Sequence, residues 1–156
     1  SRLDVKSART KTIGNSAVMN WIVTPEPHAP EVNATKLHEL ISSALIDSKD
    51  VEERLFARAA AYASKPSIPV PPPVVEIFTE AATDATVIEV RSHDRPGLLF
   101  RIGAAITQSK VDIRSAIVTT LGAEAIDTLY VTELTGGPLS VERANEVASH
   151  LRQALK

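Results

Sequence analysis

Residues 92–99, which read SHDRPGLL, carry the residue types best suited to bind a small molecule. Pro96 can preset the helical φ in a first helical turn, and Gly97 leaves room for a ligand to approach the backbone. The free amides of such a turn and the positive end of its helix suit a carboxylate. Asp94 can accept hydrogen bonds from those amides, and instead or in addition from an ammonium group. The segment predicts a site for a small zwitterion; the alternative is a purely structural role, in which Asp94 caps the helix and Gly97 packs.

Other chemistry finds little support in the sequence. The dipeptide His93-Asp94 is typical of metal-dependent phosphohydrolases, but a metal centre needs further ligands. The three other histidines have no ligand spacing between them: His28, His38 and His150. There is no serine in a nucleophile elbow and no glycine-rich phosphate loop, and Glu52-Glu53 suits a solvated helix face. We therefore expect no catalytic residue, no metal and no cofactor in this chain.

Composition excludes further classes of function. The 156 residues include 17 basic and 19 acidic side chains, and this balance with scattered basic residues does not suit a nucleic-acid partner. The absence of cysteine excludes disulfides and thiolate metal sites. Apolar runs are far shorter than the roughly 20 residues that cross a bilayer, so we expect a soluble, cytoplasmic protein with no membrane partner. With 4% aromatic residues, we interpret Trp21 and Tyr130 as core or interface residues rather than base-stacking platforms.

An internal repeat organises the chain. Residues 3–24 match residues 111–132 without gaps, at a constant offset of 108. The identical pairs include Asp4/Asp112, Ser7/Ser115, Ala8/Ala116, Thr12/Thr120, Gly14/Gly122, Ala17/Ala125, Val23/Val131 and Thr24/Thr132. The second copy has about 25 further residues upstream, residues 86–110, whose counterparts would precede Ser1. We therefore expect the first copy to be incomplete, and the chain to be processed or a piece of something longer.

Periodicity assigns the elements of each copy. Residues 111–121 and 125–133 predict a hairpin, repeated by 3–13 and 17–24, with Ile117 and Leu121 on the buried face of the first strand. Residues 86–91 predict an apolar strand. One apolar stripe predicts an amphipathic helix after Gly97, and a second predicts another amphipathic helix that Ser140 can cap. A helix around residues 37–45 is the counterpart of the last one. The complete unit is strand, helix, strand, strand, helix.

The two copies are joined by a connector with its own signals. Asp50 and Glu53 have capping-box spacing ahead of a helical pattern, and half of the ten prolines fall in residues 65–73, which predicts an extended spacer. Residues 74–80 predict a strand that fills the sheet edge from the N-terminal side. The predicted domains are 1–47, a partial first copy; 48–73, the connecting helix and linker; and 74–156, the second copy with its extra edge strand.

The motifs TVIEVR (86–91), DRPGLL (94–99), VDIRSA (111–116) and TLYVT (128–132) together resemble the ACT domain, a small amino-acid-sensing module. The tandem arrangement, connector and extra strand resemble more narrowly the C-terminal region of the family of bifunctional PII uridylyltransferase/uridylyl-removing enzymes, in particular its actinobacterial members. The resemblance implies an α+β fold of ferredoxin-like ACT domains (βαββαβ type), an antiparallel sheet with helices on one face, and a truncated first copy.

The resemblance also implies a function and site residues. It implies a glutamine-sensing regulatory region that controls upstream catalytic domains, which would act on PII proteins and use Mg²⁺, whereas the present chain would need no cofactor. The residues implied to bind the ligand are Asp94, Arg95, Gly97 and Leu98. The residues implied to face a partner ACT unit are Ser7, Ala8, Ser115 and Ala116. Two alternatives stay open: a ligand-free scaffold that self-associates as a homodimer, and an ACT piece of another amino-acid-responsive enzyme.

Overall fold

The computed structural model describes residues 3–26, 33–46, 51–55, 57 and 71–156. The strands are β1 (Leu3–Ile13), β2 (Ser16–Pro25), β3 (Val74–Phe78), β4 (Thr86–His93), β5 (Val111–Leu121) and β6 (Glu124–Glu133). The helices are α1 (Ala34–Ile46), α2 (Leu98–Gln108) and α3 (Val141–Ala154). Residues 51–55 and 57 are also helical, whereas most of the predicted connecting helix and proline spacer lies outside the described residues.

All six strands form one antiparallel sheet in the order β2-β1-β5-β6-β4-β3. Helices α2 and α3 pack against each other and against the sheet, and their apolar stripes join the inward side chains of β4, β5 and β6 in one core. Sheet and helices together make an α+β, ferredoxin-like arrangement. The core therefore belongs to the second copy.

The predicted edge strand is present and is shorter than expected. β3 pairs with β4 from Val74↔Arg91 to Phe78↔Val87, so it ends at Phe78 rather than at residue 80. Its Val75 is buried in the core. At the start of α3, the Ser140 side chain accepts a hydrogen bond from the Arg143 amide at 3.2 Å, which confirms the predicted cap.

The two hairpins repeat each other in detail. When 108 is added to the first and last residue numbers of β1 and β2, the result is the first and last residues of β5 and β6. The register of each hairpin also shifts at the same place, between Val5 and Ser7 in one and between Ile113 and Ser115 in the other. This shared bulge shows that the repeated sequence specifies one local geometry.

The bulge overturns the predicted burial of β5. Ile117 is 38% exposed and Leu121 is 61% exposed, whereas Ala116 and Val118 are buried. A simple alternation from Val111 assigns Ile117 to the core, but one extra residue in the strand moves every later side chain to the opposite face. The prediction for Ile117 and Leu121 was therefore wrong.

The two hairpins meet in a pairing that is symmetric about Arg9↔Ile117, two residues that occupy equivalent repeat positions. Ser7 pairs with Thr119 and Lys11 with Ser115, so each end of the junction mirrors the other. The Thr120 hydroxyl donates to the Val5 carbonyl at 2.9 Å. Its repeat counterpart donates in the same way from Thr12 to Ile113, at 3.5 Å. The repeat thus produces a pseudo-twofold junction within one chain.

The first copy contributes little to the core. Within the described part of the chain, β2 and α1 have no buried residue. Large apolar side chains on both are exposed, namely Val18, Met19, Trp21, Ile22, Ile41, Leu45 and Ile46. Trp21 is 43% exposed, so it is not a core residue here. The predicted helix forms, but its apolar stripe is not covered by the described residues.

Candidate ligand-binding site

The segment singled out by the sequence is a tight turn that leads into α2. The Leu98 amide donates to the Arg95 carbonyl at 3.1 Å, and Gly97 has φ 83° and ψ 4°. These values define a type II turn, with proline at its second position and glycine at the third, where φ is positive. Pro96 therefore lies in the turn before the helix rather than in its first helical turn. Glycine is favoured at position 97 because residues with a side chain rarely adopt this positive φ.

The predicted capping role of Asp94 was wrong. The N-cap residue of α2 is Gly97, and no side chain caps the helix. Instead, the Asp94 amide donates to the Ala123 carbonyl at 2.8 Å, which fastens the loop to the turn between β5 and β6. The Asp94 carboxylate is left available for another partner.

A cavity of about 720 Å³ lies between this loop and the first hairpin. Its walls come from both copies: the first residues of β1, the end of β2, the 94–100 segment, and parts of β5 and β6. Small-molecule sites commonly occupy about 300–1,000 Å³ and combine apolar walls with a few polar groups. The charged residues that line it are Asp4, Lys6, Glu26, Asp94, Arg95 and Asp127.

Asp127 on β6 is the most unusual of these residues. It is fully buried, and neither carboxylate oxygen has a hydrogen-bond partner among the described residues. Its partners across the neighbouring strands are apolar, Val90 on β4 and Val118 on β5. Burial, and secondarily the nearby Asp94 carboxylate, raises the pKa of Asp127 to about 7. An unpaired buried carboxyl is costly, so it marks the wall of the cavity as polar.

Sequence reasoning missed Asp127, although a signal was present. Ala125, Asp127, Leu129 and Val131 alternate along β6, and all four are buried. A carboxylate at one of the inward positions of an otherwise apolar strand is rare unless it has a partner or a function.

Asp94 lines the same cavity and is exposed to solvent. Partial desolvation, followed by the Asp4 charge, raises the pKa of Asp94 above its ordinary value. Asp4 itself forms an ion pair with Lys6, with 2.6 Å between the ammonium nitrogen and Oδ2. The loop end of the cavity therefore presents two carboxyl groups, Asp94 and Asp127, whose pKa values are both raised.

The other two predicted ligand residues have structural partners. The Arg95 guanidinium donates to the Leu155 carbonyl, which ties the loop to the end of α3. Burial, and then the Arg101 charge, lowers the pKa of Arg95. The Leu98 side chain is buried in the core, and its amide already donates to the Arg95 carbonyl within the turn.

The four residues predicted at the ACT–ACT interface all lie in the β1–β5 junction. Ser7 pairs with Thr119 and Ala8 with Val118. Ala116 pairs with Thr10, whose carbonyl accepts a hydrogen bond from the Ser115 hydroxyl at 2.9 Å. Ala8 is 1% exposed, so the strands approach closely there.

The described residues include neither a metal-binding cluster nor a membrane-spanning helix. No cluster of three or more histidine, aspartate or glutamate side chains in that part of the chain could hold a metal ion. Among the same residues, no helix is long and apolar enough to cross a membrane.

Comparison with known proteins assigns the domain that contains this turn to a family. Residues 86–149 match the ACT domain family, and the chain therefore contains an ACT domain whose β4–α2 turn opens onto the cavity. Over nearly its whole length, the chain is also similar to the bifunctional uridylyltransferase/uridylyl-removing enzyme.

Three relatives with that name illustrate the similarity. The protein from Streptomyces coelicolor is 37% identical over 162 residues, covering 99% of this chain and 19% of the relative. The Erythrobacter litoralis protein is 31% identical, covering 97% and 16%, and that of Azospirillum brasilense is 38% identical, covering 72% and 12%. The chain thus spans less than a fifth of the length of these relatives. No solved structure gives a significant match.

Proposed function

We propose that this chain is a glutamine-sensing regulatory region of a bifunctional uridylyltransferase/uridylyl-removing enzyme, and that the ligand binds in the cavity between the turn at residues 94–98 and β1. The observation that carries the proposal is the composition of this cavity, which combines carboxylates and a helix N-terminus within one space of about 720 Å³. In the proposed assembly, cytoplasmic catalytic domains elsewhere in the protein would modify PII proteins, and any Mg²⁺ would belong to those domains.

The two ends of an α-amino acid find complementary groups in the cavity. The N–H groups of Leu99 and Phe100 are in the first turn of α2, where helix geometry provides no acceptor within the helix, and both residues line the cavity. They and the positive end of the helix suit the ligand carboxylate. The Asp94 carboxylate suits the ammonium group. A side-chain amide would then extend toward β1 and the end of β2.

Regulation follows from the position of the cavity between the two copies. A ligand that touches both the turn and β1 stabilises the arrangement in which the two hairpins are paired as described. Ligand binding can shift the activity of attached domains only through such a difference in affinity between arrangements.

Calorimetric titration of the chain with L-glutamine tests the proposal. We expect saturable binding, and we expect Asp94→Ala to weaken it about tenfold, because it removes a charged hydrogen-bond partner. Asp112→Ala is a matched control, since Asp112 is the exposed repeat counterpart of Asp4 and does not line the cavity. Absence of binding at millimolar glutamine, with the fold intact by circular dichroism, would refute the proposal.

The exposed face of the first copy favours a second candidate function, self-association. On its outer side β2 has no partner strand among the described residues, and Met19, Trp21 and Ile22 are exposed on it. An apolar edge strand of this kind can pair with another chain. Sedimentation over a range of concentrations tests it: dimer formation lost in Trp21→Ser supports a scaffold role, and a monomer at all concentrations argues against it.

A further inference from the structure

Asp127 lines the cavity, although the sequence did not single it out. Its carboxyl group is completely buried, both oxygens lack partners among the described residues, and it borders the cavity together with Asp94. The strand neighbours of Asp127, Val90 and Val118, are apolar. An apolar side chain at position 127 would therefore fill the core without the cost of an unpaired carboxyl group. Packing alone does not account for the carboxyl group.

We propose that Asp127 is the residue that makes the site selective for an ammonium group: together with Asp94 it binds the cationic nitrogen of the ligand, so that analogues lacking this nitrogen are rejected. This inference rests on the proposed function, in that it assumes an amino acid occupies the cavity. A buried charge is tolerated when it is paired and hydrogen-bonded, and an ammonium group has three donors to share between two carboxylates.

The surrounding charges support a cation rather than an anion at this end of the cavity. The loop contributes Asp94 and Arg95. The Arg95 guanidinium donates from Nη2 to the Leu155 carbonyl, and its Nε is buried without a hydrogen-bond partner among the described residues. β1 contributes Asp4 and Lys6, which pair with each other, and Glu26 follows β2. Asp94 and Asp127 are thus the carboxyl pair left for the ligand.

Proton release provides a second signature of the same contact. With the pKa of Asp127 at about 7, its carboxyl is largely protonated at pH 6 while the cavity holds no cation. An ammonium group would lower that pKa, so binding at pH 6 should expel up to about one proton, and fewer at pH 8. The raised pKa of Asp94 acts in the same direction.

The test compares L-glutamine with glutaramic acid, the same molecule without its α-amino group, by calorimetry in phosphate and in Bis-Tris, both of which buffer at pH 6. These buffers differ in ionisation enthalpy, so the difference between the two heats counts the protons released. We expect glutamine to bind with proton release at pH 6, and glutaramic acid to bind at least about tenfold more weakly. Asp127→Asn should remove most of the release and weaken glutamine about tenfold, while Asp112→Asn changes neither.

The outcomes separate this inference from the proposed function. If glutamine binds normally to Asp127→Asn, or binds to the unaltered chain without proton release at pH 6, the assignment of Asp127 is wrong and glutamine sensing stands. If glutamine does not bind the unaltered chain at millimolar concentration, the proposed function fails and the inference fails with it. If Asp127→Asn does not fold, the proton count at pH 6 is made on Asp94→Asn: release that persists without the Asp94 carboxyl supports the assignment of Asp127, and its loss overturns it.

Discussion

The hairpin of β1 and β2 and the hairpin of β5 and β6 share their strand bounds and their bulge, and Ala8 and its counterpart Ala116 are both buried. Their second strands, however, differ in burial. Inward positions of β6 such as Asp127 and Leu129 are buried, whereas their repeat counterparts Met19 and Trp21 are 57% and 43% exposed. The difference lies in what covers each strand, since β6 lies between β5 and β4 and under α2 and α3, and β2 is an edge. Local sequence sets the hairpin geometry, and the neighbouring elements set its stability.

The largest expected effect is a difference between equivalent positions of the two hairpins. Leu129→Ala should lower the free energy of unfolding by about 3 kcal/mol, because it leaves a void in the core. Trp21→Ala removes more atoms but from an exposed site, so we expect a loss of about 1 kcal/mol or less. Urea denaturation followed by circular dichroism measures both. Equal losses would mean that β2 is buried in solution.

The next effect concerns pH. The pKa of Asp127 in the folded chain, about 7, lies above the value of about 3.9 in an unfolded chain, so the folded state binds the proton more tightly. Folding stability without ligand should therefore fall as pH rises from about 4 to 7 and stay low above 7. Asp127→Asn lacks this loss, and we expect it to be about 2–4 kcal/mol more stable than the unaltered chain at pH 8.

Denaturation at pH 4 serves as the internal control for that prediction, because there the carboxyl is protonated in the folded state and resembles the amide. The two proteins should then have similar stability. An unchanged difference between pH 4 and pH 8 would show that Asp127 does not titrate in this range. The gain expected at pH 8 also implies that the natural residue is retained at the expense of stability, as is common at binding sites.

The smallest effect probes the symmetry of the junction. Thr120→Val removes a hydroxyl that donates at 2.9 Å, and Thr12→Val removes its counterpart at 3.5 Å, which is at the limit for a hydrogen bond. We expect losses of about 1 kcal/mol and of a few tenths of a kcal/mol respectively. Thermal denaturation of the two variants under identical conditions compares them; a larger loss for Thr12→Val would contradict the described geometry.

Much of the fold was predictable because it depends on local patterns. The hairpins, the helix after Gly97, the Ser140 cap and the extra strand beside β4 all follow from periodicity and turn residues. The exposure of Ile117 was not predictable, because the bulge beside Arg114 has no sequence signature of its own and reverses the alternation beyond it. The exposure of Trp21 depends on the neighbours of β2, which its own sequence does not describe.

The candidate site was predicted in place but not in detail. The turn was found from its proline and glycine, but the positive φ of Gly97 makes glycine, rather than Asp94, the N-cap. Asp127 was missed because it is 33 residues away from Asp94 in the chain, and only the pairing of β6 with β4, which ends just before Asp94, brings the two residues near each other. Sites assembled from distant strands require the topology before their members can be recognised.

The symmetric register of β1 with β5 has a consequence for assembly. A pairing centred on equivalent residues, Arg9 and Ile117, is the kind that two identical subunits use to form a twofold dimer. Here both halves are on one polypeptide, so the connector replaces a bimolecular encounter by an intramolecular one with a high effective concentration. The junction therefore forms independently of how dilute the protein is, and a switch built on it would keep the same set point at every expression level.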